Sequence, residues 1–249
     1  MDPRLQHLTL KTAARSVADL AMPRSCVVCG RRLIRDEEHI CTGCLADLPL
    51  TYFQTLERNP MSERINAVIE RGLEAWTPYM RACALFFYNS ESPYRRIPQA
   101  LKYSRRFGDG KFFGRLLGKA LAASPLYADV DLVVPVPLHW TRKIQRGYNQ
   151  AEILGEQVAG ELEGARLDAR VLRRSRRTRT QTRLSVEGKS RNVRDAFRVV
   201  GKPSCKHILL VDDVCTTGAT LAACHRALRS AFGEEVRISA ATLAFVTTS

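Results

Sequence analysis

Short apolar runs alternate along this chain with longer stretches in which apolar residues recur at helical spacing. Runs of the first kind lie at 82–88, 130–136, 208–211 and 236–245, with shorter ones near Val171 and at 197–200. Stretches of the second kind lie at 61–73, 97–103, 110–123, 148–160 and 219–230. In the third of these, Leu116, Leu117, Ala120 and Leu121 return on one helical face. Compact β-branched and aliphatic runs predict buried strands, and the 3.6-residue spacing predicts helices. Because the strand segments are apolar on both faces and alternate with helices, the expected class is α/β, a parallel sheet covered on two sides. Ligands of such sheets bind beyond the carboxyl ends of the strands, where Asp212 and Pro137 close two separate runs.

The stretch from Ile208 to Thr220, I-L-L-V-D-D-V-C-T-T-G-A-T, carries the most chemistry. An apolar strand leads through Asp212 and Asp213 into a small-residue turn, Thr216-Thr217-Gly218-Ala219-Thr220, that opens a helix. Unpaired amides and the positive end of the helix dipole suit a phosphate there. Gly218 lets backbone approach the anion, and the threonine hydroxyls add donors. The two carboxylates could accept from sugar hydroxyls or sit near a divalent metal. Phosphate, ribose and metal chemistry within so few residues points to a phosphorylated ribose. The plain alternative is an ordinary strand–loop–helix with a solvated acidic pair. Double aspartates after strands also accompany the loop G-x-x-x-x-G-K-[ST], but at Gly108-Asp109-Gly110-Lys111 the spacing is wrong and Phe112 replaces the hydroxyl residue.

Composition sharpens the picture. A chain of 249 residues with 45% hydrophobic and 26% charged content is that of a soluble globular protein, with room for one large domain or for a small one plus a medium one. No run of about 18 apolar residues predicts a membrane span. Residues 1–22 carry Arg4, Lys11, Arg15 and Asp19 inside a Leu/Ala/Val pattern, an amphipathic helix and not a secretory leader, so a cytoplasmic location is expected. That helix is expected to dock on the protein's own surface, with a peripheral membrane role as the alternative. The formal charge is +14, of which Arg170 to Arg194 carry +9, so the basicity is mainly one local patch whose anion is pyrophosphate or nucleic acid.

Cys26, Cys29, Cys41 and Cys44 form C-x2-C-x11-C-x2-C. Paired thiolates on two turns, each with a neighbouring glycine (Gly30, Gly43), can complete a tetrahedral zinc shell at about 2.3 Å per bond. A closed four-thiolate site predicts a structural Zn2+ and no catalysis. A redox pair or accidental cysteines are the alternatives, though no thioredoxin-like context follows. Arg24, Arg31, Arg32 and Arg35 beside it permit nucleic-acid contact. Cys83, Cys205, Cys215 and Cys224 are scattered and read as buried thiols, Cys215 as an apolar plug within the turn.

Residues 208–220 resemble the 5-phosphoribosyl-1-pyrophosphate (PRPP) motif of type I phosphoribosyltransferases. A wider set resembles the bacterial ComF family: the paired C-x-x-C, Lys102-Tyr103, Pro135-Val136-Pro137-Leu138, Arg142-Lys143, Arg146-Gly147-Tyr148-Asn149-Gln150, Thr180-Gln181, Arg191-Asn192-Val193 and Ala196-Phe197. The resemblance implies a type I phosphoribosyltransferase-like parallel sheet flanked by helices, with a small N-terminal four-cysteine zinc-ribbon module. The organisation expected is a helix at 1–22, the zinc ribbon at 23–53, a connector at 54–80 and the phosphoribosyltransferase-like domain at 81–249. It implies that Asp212 and Asp213 hold the ribose or its Mg2+, that Thr216, Thr217, Gly218, Ala219 and Thr220 grip the 5-phosphate, and that Arg142, Lys143 and Arg146 hold pyrophosphate. Segment 173–194, with Arg177, Arg179 and Arg183, resembles the loop that closes over the substrate; a nucleic-acid-binding arm is the alternative. His139 lies beside the pyrophosphate loop without a defined role.

Two function classes stay open at this point. One is a phosphoribosyltransferase whose acceptor is unknown, its hood formed by 77–105 with Lys102 and Tyr103. The other is a non-catalytic PRPP-sensing or single-stranded-DNA-binding protein. The family's association with DNA uptake in natural transformation, or with DNA as nutrient, implies single-stranded DNA and the competence DNA-uptake machinery as partners. The absence of a glutamine-hydrolysing domain argues against an amidophosphoribosyltransferase.

Overall fold

The structure is a computed structural model describing residues 24–71, 77–103, 107–138, 144, 146–174 and 196–247. Its elements, in chain order, are α1 (Thr42–Ala46), α2 (Pro60–Glu70), β1 (Ala82–Tyr88), α3 (Arg96–Tyr103), α4 (Phe107–Ala122), β2 (Leu132–Pro135), α5 (Gln150–Glu161), β3 (Arg166–Leu167), β4 (Leu172–Arg174), β5 (Phe197–Val199), β6 (His207–Cys215), α6 (Ala219–Phe232) and β7 (Arg237–Val246). The chain divides into two compact units, Met1–Leu48 and Pro49–Ser249.

In the larger unit the main sheet has the order β1–β7–β6–β2–β3, and every pairing is parallel. The apolar run 208–211 is its centre, fully buried because both faces are covered. Alternate residues serve the two layers. Ala82, Ala84, Leu132, Val134, Ile208, Leu210 and Ala240 share one core with Met61, Ile65 and Ile69 of α2 and Leu221 and Leu228 of α6. Val133 and Pro135 turn the other way, where a Cβ on Gly155 of α5 would meet them within 4 Å. Gly110, Gly114 and Gly118 put a glycine on α4 every four residues. A Cβ at any of them would lie 2.9–3.1 Å from an atom of α5, so these positions let the two helices pack at close range.

The free edge of β1 is covered by chain from the same unit. Phe87 N donates to Pro49 O at 3.0 Å, Thr51 N to Leu85 O at 3.1 Å, and Thr51 Oγ1 to Ala84 O. β4 and β5, the short runs near Val171 and at 197–200, do not join the parallel sheet. They pair with each other antiparallel and bracket the basic segment, of which 175–195 lies outside the described residues. The expected helix at 1–22 also lies outside them. No helix among the described residues is long and apolar enough to cross a membrane.

One buried group predicts an acid limit to stability. His225 on α6 is fully buried, and neither ring nitrogen has a partner among the described residues. Burial, then the charges of Arg229 and Arg226, pull its pKa from 6.5 down to about 3. The unfolded chain therefore takes up a proton near pH 6.5 that the folded chain refuses until about pH 3. This contribution to stability is complete above 6.5 and is lost progressively as pH falls through that window. His225→Leu should melt about 5–10 °C above the parent at pH 4, a gap that shrinks towards pH 7, in thermal scans at the two pH values.

Candidate functional site

The two strands that carry the site end at different heights. β2 stops at Pro135, whose partner is Val211, and Val136 N makes the last rung to Val211 O at 2.8 Å. Proline at 135 and again at 137 withholds the amides that further pairing would need. β6 continues to Cys215, paired only with β7 (Asp212 with Thr242, Val214 with Ala244). Asp212 and Asp213 lie on this overhang. β2 is followed by α5 and then β3 on one side, whereas β6 is followed by α6 and then β7 on the other. The strand order thus reverses between β2 and β6, although the strands themselves stay parallel, and the crevice beyond their carboxyl ends is where such sheets take their ligands.

Beyond Cys215 the chain turns at Thr216 and Thr217, both exposed, into Gly218, which is buried and left-handed (φ 77°). Gly218 caps α6 with no side chain. The first helical hydrogen bond, Ala222 N to Gly218 O, is 2.9 Å, while among the described residues the Ala219 amide meets only Thr217 Oγ1, at 3.4 Å. The N-terminal amides of a fourteen-residue helix are thus presented beside the overhang.

A residue without a sequence signature holds this turn. Arg64 of α2 donates from Nη1 to Thr216 O at 2.7 Å and to Val246 O at 2.8 Å, with its guanidinium 4.3 Å from the centre of the Phe245 ring. Its neighbour Ile65 closes the underside: a Cβ on Gly218 would lie 3.0 Å from Ile65 Cγ1 and 3.2 Å from Ile65 Cα. Sequence reasoning missed Arg64 because its partners are carbonyls 152 and 182 residues away.

The acidic pair is half-buried. Burial first, and the charge of Asp213 second, push the Asp212 carboxyl up to about 8. Asp212 Oδ1 accepts from the Asp213 amide at 2.8 Å, and Asp213 Oδ2 meets Lys102 Nζ at 3.1 Å. The segment Arg146-Gly147-Tyr148-Asn149-Gln150 proves to be a fastening. Asn149 caps α5 and donates to Val136 O at 3.0 Å, while Tyr148 Oη and Gln150 Nε2 both donate to Leu101 O at the end of α3. Arg146, half-buried, reaches Gln150 Oε1 at 3.3 Å. Arg142, Lys143 and His139 lie outside the described residues, as do Arg177, Arg179 and Arg183.

In the smaller unit, the ligand atoms of Cys26, Cys29, Cys41 and Cys44 lie within 4.8 Å of one another. Cys29 Sγ and Cys41 Sγ are 3.8 Å apart, matching the edge of about 3.8 Å that four 2.3 Å bonds give a tetrahedron. Backbone amides aim at the sulfurs, Cys44 N to Cys41 Sγ at 3.5 Å and Cys41 N to Cys26 Sγ at 3.4 Å. The Cys44 amide, with help from Arg31, draws the Cys41 thiol down to about 6, whereas burial raises that of Cys44. Glu37, buried, ties the intervening loop by accepting from Thr42 N, Ile34 N and Arg31 Nη2 at 2.9, 3.0 and 2.6 Å. The quartet fits a zinc ribbon and could hold a metal such as zinc.

A Ser–His–Asp arrangement lies at the opposite end of the sheet. His207 has Asp129 Oδ1 at 2.8 Å from Nδ1 and Ser239 Oγ at 2.8 Å from Nε2. Ser239 and His207 are fully buried where β6 and β7 begin, so no substrate reaches that hydroxyl, and the arrangement satisfies an interior imidazole.

Comparison with known proteins follows the same lines. A family model for the phosphoribosyl transferase domain matches residues 149–245, from the cap of α5 to the end of β7. The chain is 31% identical over 152 residues to competence protein F of Haemophilus influenzae, covering 59% of this chain and 66% of that protein. It is 30% identical over 200 residues to the DNA utilization protein YhgH of Escherichia coli K12, covering 79% of this chain and 80% of that protein. To competence protein ComFC of Bacillus subtilis it is 26% identical over 218 residues, covering 85% and 86%.

Proposed function

This chain belongs to the ComF family, and we propose from that premise that it binds PRPP or a related phosphoribosyl ligand in the crevice between β2 and β6, in the service of DNA utilisation. The observation that carries this reading is the overhang of β6, which sets an acidic pair beside an uncapped helix N-terminus at the reversal point of the sheet. In this reading Thr216, Thr217, Gly218, Ala219 and Thr220 take the 5-phosphate through amides and hydroxyls. Asp212 and Asp213 accept from ribose hydroxyls or hold Mg2+. Arg142, Lys143 and Arg146 balance the pyrophosphate, and the segment with Arg177, Arg179 and Arg183 closes over it. Loss of pyrophosphate from the anomeric carbon leaves an oxocarbenium-like centre, which a nitrogen nucleophile attacks. Magnesium would neutralise charge developing on the leaving group. The four cysteines hold a structural Zn2+, and the protein works in the cytoplasm.

Asp213→Asn is expected to weaken PRPP binding by about ten- to a hundredfold, because a charge-assisted acceptor becomes a neutral one. The melting temperature should stay within a few degrees of the parent's. Calorimetric titration with PRPP and magnesium checks this, and an unchanged affinity contradicts the assignment.

A second reading rests on the charge of +14 and on the names of the relatives: an accessory protein that binds single-stranded DNA and uses PRPP as a signal, without transfer. Pyrophosphate release with a panel of bases supports the enzyme. Salt-dependent DNA binding that disappears when the arginines of 173–183 are neutralised supports the accessory role.

A further inference from the structure

Asp212 and Asp213 adjoin, half-buried, on one strand, where an ionised carboxyl is stabilised by a positive charge standing beside it. Lys102 supplies one: its Nζ lies 3.1 Å from Asp213 Oδ2, with the side chains 27% and 13% exposed. Lys102 is not a loose surface lysine. It occupies the last turn of α3, and the carbonyl just before it, Leu101 O, is held by both Tyr148 Oη and Gln150 Nε2. Tyr148 is in turn backed by the Phe107 ring, with 4.6 Å between centres. Two residues from the far side of the crevice thus hold the base of this lysine while its ammonium rests on β6.

An ammonium so placed does what a metal ion would do at the same carboxylate. It neutralises Asp213 when nothing else does, and it must yield when a divalent cation takes that oxygen. We propose that Lys102 is the built-in counter-cation of the site: it competes with a divalent cation for Asp213 and supplies positive charge to an anionic ligand when no metal is present. The inference rests on the phosphoribosyl reading above and adds to it a determinant of how much metal the site requires. Lys102 acts through Asp213 and through charge, so it is a positioning residue.

Its signature is a pair of effects of opposite sign, which a merely structural role would not produce. In Lys102→Met, Mn2+ alone, followed by electron paramagnetic resonance, should bind about tenfold more tightly, since its competitor is gone. PRPP titrated in excess chelator should bind about tenfold more weakly, since an anion has lost a cation. Lys102→Arg should keep the parent's behaviour in both titrations. Circular dichroism establishes that the variant is folded, and Lys102→Gln gives the same readout if the methionine variant is not. Changes of the same direction, or none, with PRPP still bound by the parent, overturn the role of Lys102 and leave the phosphoribosyl reading standing. If the parent binds PRPP neither with nor without divalent cation, the phosphoribosyl reading fails and this inference fails with it.

Discussion

Gly218→Ala is expected to lower the melting temperature by about 5–15 °C and to weaken PRPP binding by at least about tenfold. Two costs combine. A left-handed backbone costs a residue with a Cβ about 1–2 kcal/mol, and crowding a packed interior adds about 1–3 kcal/mol more. The crowding is specific, because the new methyl would stand 3.0 Å from Ile65 Cγ1 and 3.2 Å from its Cα, the latter being backbone of α2 that cannot swing aside. Each kcal/mol shifts the transition of a domain of this size by about 2–4 °C. Relief requires the turn to move away from α2, which pulls Thr216 O from Arg64 and re-aims the amides that would meet phosphate. Gly201→Ala is the control. Its φ is 79°, but a methyl at that position would meet nothing within 4 Å, so it should show the backbone cost alone and unchanged PRPP affinity. Scanning calorimetry and PRPP titration of both variants separate the two effects.

With zinc in the cysteine quartet, as proposed above, its removal should have the larger structural effect. Between Cys26 and Leu48 the small unit buries few apolar side chains, chiefly Val27, Val28, Leu33, Ile40 and Leu48. A core of that size stabilises a chain segment only weakly, and zinc held by the four thiolates, as proposed above, would supply about 10 kcal/mol or more. Cys41→Ser is therefore expected to lose the zinc equivalent and, with it, hydrogen-exchange protection at the amides of Cys26, Gly30 and Leu45, which bond within this unit. The amides of β6 and β7 should keep their protection, since they belong to the larger unit and its own core. Metal content with exchange measured by mass spectrometry checks both halves. Cys41 is the informative position because its sulfur accepts the Cys44 amide and its own amide points at Cys26 Sγ.

Legibility in the sequence follows what the chain writes locally. The run 208–211 announces a doubly covered strand, and the paired C-x-x-C announces four sulfurs that the fold does gather. The alternation of helices and strands is readable because each depends on neighbours within a few residues. The segments near Val171 and at 197–200 look like further members of the parallel sheet and instead pair antiparallel with each other, since an apolar run does not declare its partner. The five-residue segment 146–150 reads in the sequence only as a family motif, and its structural part becomes visible in the fold, where Tyr148, Asn149 and Gln150 commit their polar atoms to Leu101 O, Val136 O and the cap of α5.

The parallel α/β class, the acidic strand end, the glycine turn and the metal-competent thiols are all properties of contiguous residues, so the linear order alone was enough to establish them. Three further features emerge only in the folded molecule: β6 outruns β2, Arg64 and Ile65 hold the turn from a remote helix, and Lys102 rests on Asp213. Those are matters of strand register and helix packing, where many weak contacts summed over the whole core bring together residues that the linear pattern leaves unrelated.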